Sequence, residues 1–514
     1  MSKLLQTSLF SKFVLQNWQA YSLLALGTLI RGLYGIYSKA WLEAPDQLAW
    51  GLTLDEMAKN SELSYKQLMY YPHEGGGFLI AVLALCLRPL ENLLPALSIA
   101  ALLIDTLGRF IQFFIAKRLF GNVTASWFAL WSLLSVPLLI SWASVNFCLH
   151  HLSSFLPFVF VYYVTKQNSK FPNSVACGIV TGLSISFSYN NIIFIPAYLI
   201  WLFLNPDTSK IKIWNVTKYS FFALLALLPH LFLRLIPDNG FHLEKLSLSN
   251  IREFSPSDIA SFEGLKHLLT VGLKPFPSSF FLAAGGPIFS TIQILIVIAF
   301  CGYGIFRIYK NREYAKNTIR FPIMLILIFI VFYALGPFYS DSSGSKSYYY
   351  YRHLSYILPL LMIVLIDSLV NSGRKEILIL LVWIFVCAVF TIQYMFTNPP
   401  AKKGLYKIEG WILARKFGEN PTKLMQLSQT APVIQRKELT FGFGWGISAA
   451  LFRGKTIEDK ASIKRFIEIY SRFPEDKKNL ILEGTRFAFN PAITPKLDIR
   501  LLTAIYENIA EKNE

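Results

Sequence analysis

Ile377-Leu378-Ile379-Leu380-Leu381-Val382-Trp383-Ile384-Phe385-Val386-Cys387-Ala388-Val389-Phe390 is a continuous apolar run, and no charge follows it before residue 401. A helix rises about 1.5 Å per residue, so about 18 or more such residues cross a hydrocarbon layer of about 30 Å. Runs of this kind recur through the 514 residues, 54% of which are hydrophobic and 15% aromatic. A backbone in lipid must satisfy its own polar groups, which leaves helices or a closed barrel. Runs that do not alternate exclude barrel strands. The sequence therefore predicts an all-α polytopic membrane protein of about 11–13 spans.

Candidate spans lie at 15–37, 77–93, 95–116, 122–142, 147–165, 173–189, 191–204, 218–237, 284–306, 320–338, 353–370 and 375–396. Net charge is +18, but the bases gather in short loops between apolar runs. Topology accounts for that better than a polyanion partner, so nucleic acid is not expected. The connections at 117–121, 166–172, 205–218, 307–320 and 371–376 are rich in Lys and Arg, whereas 143–146 and 189–191 have none. Bases are retained in the cytoplasm, so the first set reads as cytoplasmic and the second as outward. All five cysteines stand singly in apolar segments and read as small core residues. Lys3 and Lys12 precede an apolar run with no small-residue cleavage site after it, which reads as an uncleaved first span.

Between residues 38 and 75 six acids face three bases, an outward-loop composition in a basic protein. This orientation and the charge alternation agree only if 77–93, broken by Arg88-Pro89, is re-entrant or interfacial, or if the loop holds another crossing. The tail, 397–514, has 20 Lys/Arg and 13 Asp/Glu and reads as a soluble helical domain, outward by the alternation. Three of its stretches resemble one another: Glu409-Gly410-Trp411, Phe443-Gly444-Trp445 and Glu483-Gly484-Thr485. The spacing suits stacked helical hairpins, and coincidence suits it as well.

Asp46 follows Pro45 just beyond the first span. A carboxylate at the membrane surface beside Trp41 and Trp50 is partly desolvated, which raises its basicity; the plain alternative is a capping carboxylate. Arg31, then Pro45-Asp46-Gln47, then Tyr71-Pro72-His73-Glu74-Gly75-Gly76, resembles the opening of the GT-C membrane glycosyltransferases. Within them it is most similar to the protein O-mannosyltransferase and lipid A aminoarabinose transferase group. Lys117-Arg118-Leu119-Phe120-Gly121 resembles a basic turn of that family, and Arg352-His353-Leu354-Ser355-Tyr356 the start of a late span. The resemblance covers roughly 15–396 and rests on the order of short motifs. The family pattern has an acidic pair where this chain has Asp46-Gln47.

The resemblance implies transfer of a sugar from a polyprenyl-phosphate carrier to a glycan, lipid or protein acceptor on the outer face of a cell membrane, read as a bacterial inner membrane, with Asp46 as general base. A phosphate leaving group calls for fixed cations. Arg352, His353 and Lys346 suit that role, and His73, Glu74 and Arg31 are further candidates for substrate or phosphate contact. Arg352 suits equally a snorkelling anchor beside Tyr348-Tyr349-Tyr350-Tyr351, and His73-Glu74 an ordinary interfacial turn. No cofactor is implied. His150 and His151, with His73, Glu74 and Asp46, are metal-ligating types, but no spacing rule assembles them, so a divalent cation is allowed and not required.

Asp105 and Arg109, one turn apart, read as a structural ion pair. Arg31 reads as a single intramembrane cation, while His230 and Arg234 lie four apart near a span end. A flippase of lipid-linked sugars and an oligosaccharide polymerase or ligase are the competing readings. The first would show symmetry between halves, and the second would place its chemistry in 238–283.

Overall fold

The computed structural model describes residues 15–38, 76–87, 93–145, 149–166, 173–204, 209–235, 280, 287–310, 317–334, 346–397, 405–429, 431, 433, 436–452, 455–489 and 498–513. Among them there is no strand. They fall into two compact units, one holding the helices between Asn17 and Thr397 and one holding those from Leu405 onward.

The first unit comprises α1 (Asn17–Tyr37), α2 (Gly76–Leu87), α3 (Leu93–Leu134), α4 (Pro137–Trp142), α5 (Leu149–Leu152), α6 (Leu156–Thr165), α7 (Ser174–Phe187), a 3₁₀ turn (Tyr189–Ile193), α8 (Phe194–Leu204), α9 (Ser209–Leu235), α10 (Pro287–Lys310), α11 (Asn317–Ala334), α12 (Lys346–Val370) and α13 (Arg374–Thr397). Four described helices are long and apolar enough to cross a membrane, beginning at Pro95, Thr291, His353 and Arg374. Large apolar side chains stand exposed along α1 (Leu29, Leu33, Ile36), α9 (Phe221, Leu224, Phe232), α10 (Leu295, Ile298) and α13 (Leu378, Val382, Phe385). Water would penalise so much contiguous apolar surface, whereas lipid chains would not. This is the surface of a membrane protein. By contrast, α12 is buried almost throughout from His353 to Val370 and forms the unit's central post.

Several expected spans are interrupted. Within segment 77–93 the described residues are those of α2, which is 12 residues long and spans about 18 Å at the helical rise, and Leu93, which opens α3; Arg88-Pro89 lie outside the described residues. Segment 147–165 breaks into α5 and α6, with Pro157 in the first turn of α6 where its missing N–H costs nothing. Segments 173–189 and 191–204 are separated by extended Ser188 and the 3₁₀ turn.

Within α3, Gly121 has φ 90° and ψ 171°, a conformation costly for any residue with a Cβ. The chain reverses there, as the partners of α1 prove. Near the start of α1, Asn17 Oδ1 accepts from Lys117 Nζ (2.7 Å), and the Leu15 N–H donates to Ser126 Oγ (2.9 Å). About four turns further on, Arg31 meets both Asp105 and Ser132. Thus α1 runs antiparallel to 93–120 and parallel to 122–134, and these three segments form one layer. Elsewhere Gly178 and Gly182 let α7 lie against the backbone of α9 at Tyr219 and Ala223, the small-residue contact by which helices associate in lipid. Arg307 on α10 pairs with Glu376 on α13 at 3.2 Å.

The second unit comprises α14 (Leu405–Phe417), α15 (Pro421–Gln429), α16 (Arg436–Phe452), α17 (Lys460–Ser471), α18 (Glu475–Ala488) and α19 (Ile499–Asn513) around a core that includes Leu424, Phe443, Phe452, Phe466, Ile481, Leu501 and Ile505. The three similar stretches fall on α14, α16 and α18, which pack side by side. Their glycines mark the crossings: a Cβ on Gly410 would strike the Leu439 carbonyl, one on Gly444 that of Ile481, and one on Gly484 that of Phe441. The obstacle is backbone in each case and cannot rotate away. Gly484→Ala should therefore destabilise this unit by at least the roughly 1–3 kcal/mol of ordinary overpacking. Limited proteolysis of the full chain reads this directly, as faster cleavage after residue 405; unchanged cleavage would mean that the helices can separate freely.

Candidate active site

Two connected polar clusters lie inside the first unit. The first is ionic. Asp105 on α3 accepts from Arg109 Nε at 3.0 Å through Oδ2 and meets His151 Nε2 at 3.0 Å through Oδ1. Arg31 Nε stands 3.7 Å from Oδ2. All four side chains are at least nine-tenths buried. On α1 the buried stripe is Ala20, Leu24, Gly27, Arg31 and Tyr34, spaced by three and four, so the arginine points inward by the same periodicity that buries the leucine.

Arg31 does more than face a carboxylate. Its Nη1 donates to Gly27 O (3.0 Å) and Leu133 O (3.4 Å), and its Nη2 to Ser132 O (3.1 Å) and Ser135 Oγ (2.9 Å). Ser132 and Leu133 are in the last turn of α3, whose carbonyls have no helical partner and carry the negative end of the helix dipole. Arg31 is thus a cap supplied by another helix. Ser135 next to it has φ 42°, the left-handed conformation that commonly ends a helix but which usually falls to glycine; the guanidinium on its hydroxyl helps to hold it there. Arg109 donates through Nη1 to Leu24 O (3.2 Å) and through Nη2 to Thr28 Oγ1 (2.6 Å). The cluster joins α1, both arms of α3 and α5. Arg31 is therefore not the single intramembrane cation expected: it faces Asp105 beside Arg109, and both of its Nη nitrogens donate to protein atoms.

The second cluster begins one residue along α5. His150 stacks on His353 of α12, ring centroids 3.9 Å apart and planes 30° apart. His150 Nδ1 lies 3.3 Å from Ser188 Oγ, and His353 Nδ1 lies 3.3 Å from Asn190 Oδ1. With the amide oxygen facing the ring, His353 Nδ1 is the donor of this contact, since an amide oxygen only accepts. Below them Tyr356, one turn further on α12, donates to Asn191 Oδ1 at 2.6 Å, and Asn191 Nδ2 donates to Ser184 O and Ser188 O, both at 2.9 Å. Those bonds hold the 3₁₀ turn, which presents Ser188 and Asn190 to the two imidazoles. Tyr189 of the same turn meets His230 Nε2 at 3.2 Å.

The structure thus brings three sequence candidates, His150, His151 and His353, into one polar seam with Asp105. Asp46, Gln47, His73 and Glu74 lie outside the described residues. Lys346 and Arg352 are on the first turns of α12, Arg352 directly before His353, with side chains outside the described part; the Arg234 side chain is likewise outside it. Among the described residues no three His, Cys, Asp or Glu side chains gather as for a metal ion. Sequence reasoning missed Ser188, Asn190, Asn191 and Tyr356. The signal available was a Ser-x-Asn-Asn run, Ser188 to Asn191, in the short connection between two apolar segments.

No family model matches this chain, and no curated protein matches it. Among solved structures, the crystal structure of an Archaeoglobus fulgidus oligosaccharyltransferase in complex with Zn and sulfate aligns with 79% of this chain at 14% identity and a TM-score of 0.45. The aligned region is 56% of that protein's chain, so this chain spans about half its length.

Proposed function

We propose that the chain is a membrane glycosyltransferase of the GT-C type that moves a sugar from a polyprenyl-phosphate carrier to an acceptor. What supports this reading is the order of its motifs, Arg31, Pro45-Asp46-Gln47, His73-Glu74-Gly75-Gly76 and Arg352-His353, on an apolar helical unit. The observation that carries it furthest is the stacked His150–His353 pair, braced by Ser188 and Asn190 and adjacent in sequence to Arg352. Asp46 takes the proton of the attacking hydroxyl as the new glycosidic bond forms at the anomeric carbon. The bond from that carbon to the carrier phosphate breaks, and the phosphate departs with the electron pair. Arg352, with Lys346, stabilises the departing anion, and His353 holds a proton near it. His73 and Glu74 contact the acceptor. The reaction faces outward from a cell membrane. The route needs no cofactor, and a divalent cation is not required.

The test is transfer from a panel of polyprenyl-phosphate sugars by the purified chain, followed by mass spectrometry. His353→Ala should lower kcat by about 10²-fold or more as one acid–base or anion contact is lost, with the folded fraction maintained. His353→Gln, which keeps a polar contact to Asn190, should recover part of the binding but not the rate. A His353→Ala enzyme with wild-type kcat removes the imidazole pair from the chemistry.

A further inference from the structure

The first unit holds a group of cations that no carboxylate answers. Lys117 and Arg118 stand on α3, and Lys166 closes α6. Arg118 Nη1 donates to the Tyr162 hydroxyl at 3.2 Å, and the guanidinium carbon lies 5.9 Å from the centre of that ring. Lys166 Nζ lies 5.2 Å from the same centre. Lys117 Nζ donates to Asn17 Oδ1 at 2.7 Å, an amide that orients the ammonium without neutralising it. Arg118 and Lys166 are exposed, and among the described residues neither has an ion-pair partner. The sequence explains why. No Asp or Glu occurs between Asp105 and Asp207, and Asp105 is taken up by Arg109, Arg31 and His151. At another basic connection, by contrast, Arg307 is matched by Glu376. Two like charges drawn onto one ring repel each other, and an anion between them removes that repulsion.

The surface beside these cations is apolar. Leu103, Leu107 and Phe114 of α3 are exposed. Their spacing of four and seven residues puts them on one side of the helix, with Arg118 one turn beyond Phe114. Leu107 to Arg118 measures about 16 Å at the helical rise, about the depth of one hydrocarbon leaflet. Tyr162 and Tyr163, edge-on at 5.5 Å, stand on α6 within one turn of Lys166, and phenols of this kind belong at the headgroup boundary.

We propose that Arg118 and Lys166 bind the phosphate of an anionic phospholipid, with an acyl chain lying along Leu107 and Phe114. Charge selects the phosphate. Tyr162 takes only one of the guanidinium donors, and the others keep the planar arrangement that suits phosphate oxygens, while Lys166 adds a point charge. The apolar stripe selects a lipid over a soluble phosphate, because anion site and chain site are continuous on one helix. A zwitterionic headgroup would bring its own cation to the same place, so the net-anionic lipid is preferred. The leaflet is the one on the side that the alternation of loop charge assigns to the cytoplasm. None of these residues belongs to the His150–His353 seam, so the site stands whether or not the chain transfers sugar.

The experiment titrates the full chain in detergent with phosphatidylglycerol or phosphatidylcholine, with no sugar donor, and reads the first bound lipid by native mass spectrometry. Phosphatidylglycerol should bind at least about fivefold more tightly than phosphatidylcholine. Arg118→Gln and Lys166→Gln should each weaken its binding by about fivefold, and the double variant by about 20-fold or more, with Arg118→Lys within about threefold of the wild type. Lys218→Gln removes a cation that lies over Trp214 on α9, and it should change the affinity by about twofold or less. Soluble glycerophosphoglycerol at equal concentration should not displace the lipid. The proposal is overturned if the two lipids bind alike or if the double variant holds phosphatidylglycerol as the wild type does. It is overturned equally if Lys218→Gln costs as much as Arg118→Gln, the mark of a diffuse attraction, or if glycerophosphoglycerol displaces the lipid, the mark of an anion site without a chain.

Discussion

Asp105→Ala should leave little folded protein. The substitution removes the only carboxylate among the described residues in contact with Arg31 and Arg109 and strands two buried guanidiniums in an apolar unit. Breaking a buried ion pair from one side costs about 3–5 kcal/mol, since the remaining charge has lost its compensation. The loss spreads, because Arg31 also ties the end of α3 and Arg109 ties Leu24 and Thr28 of α1. The measurement is thermal unfolding in detergent, with a marked fall in the midpoint expected. Replacing Asp105 and Arg109 together by Leu should recover part of that loss, as apolar replacement of a whole buried pair is often neutral. An Asp105→Ala protein that melts with the wild type would mean that water reaches the cluster.

Asp46→Asn is expected to do the opposite: abolish transfer while leaving the fold intact. An amide matches the carboxylate in shape but cannot accept the proton of the incoming hydroxyl, and loss of a general base lowers rate by about 10²–10⁴-fold. The KM for the lipid-linked sugar should change little, since the deficit falls on the transition state. Retained transport of a lipid-linked sugar, or retained polymerisation, in the Asn variant would favour one of the competing activities. Normal transfer by it would remove Asp46 from the mechanism.

The apolar segments could be read from the sequence because a spanning helix is a local property, written in consecutive residues. The Asp105–Arg109 pair was equally open to view, one helical turn being a fixed spacing. The break at Ser188 was not; those at Pro137 and before Leu156 do carry a proline in the turn that follows, but Pro229, Pro322 and Pro359 lie inside helices that continue, so proline alone does not say how an apolar run is divided. His353 and Asn190 are 163 residues apart, and Arg31 and Ser135 are 104 apart. Nothing in either vicinity announces its partner. Arg31 in particular looks locally like a solitary cation, and only the reversal at Gly121 delivers both its carboxylate and the carbonyls it caps. In the tail the repeated Gly-containing stretches were visible, but the close crossings they permit depend on which helices become neighbours.

The cap that Arg31 places on the end of α3 sets an order of events during synthesis. Helix α1 carries a cation whose counter-charge is translated roughly seventy residues later, and an unpaired arginine within the hydrocarbon costs up to about 2.5–3.5 kcal/mol on insertion scales. The nascent α1 is therefore a poor candidate for early release into lipid. It should linger at the insertion machinery until the α3 hairpin arrives to accept the charge, and crosslinks between Leu24 and that machinery should persist until chain lengths beyond residue 135 have emerged.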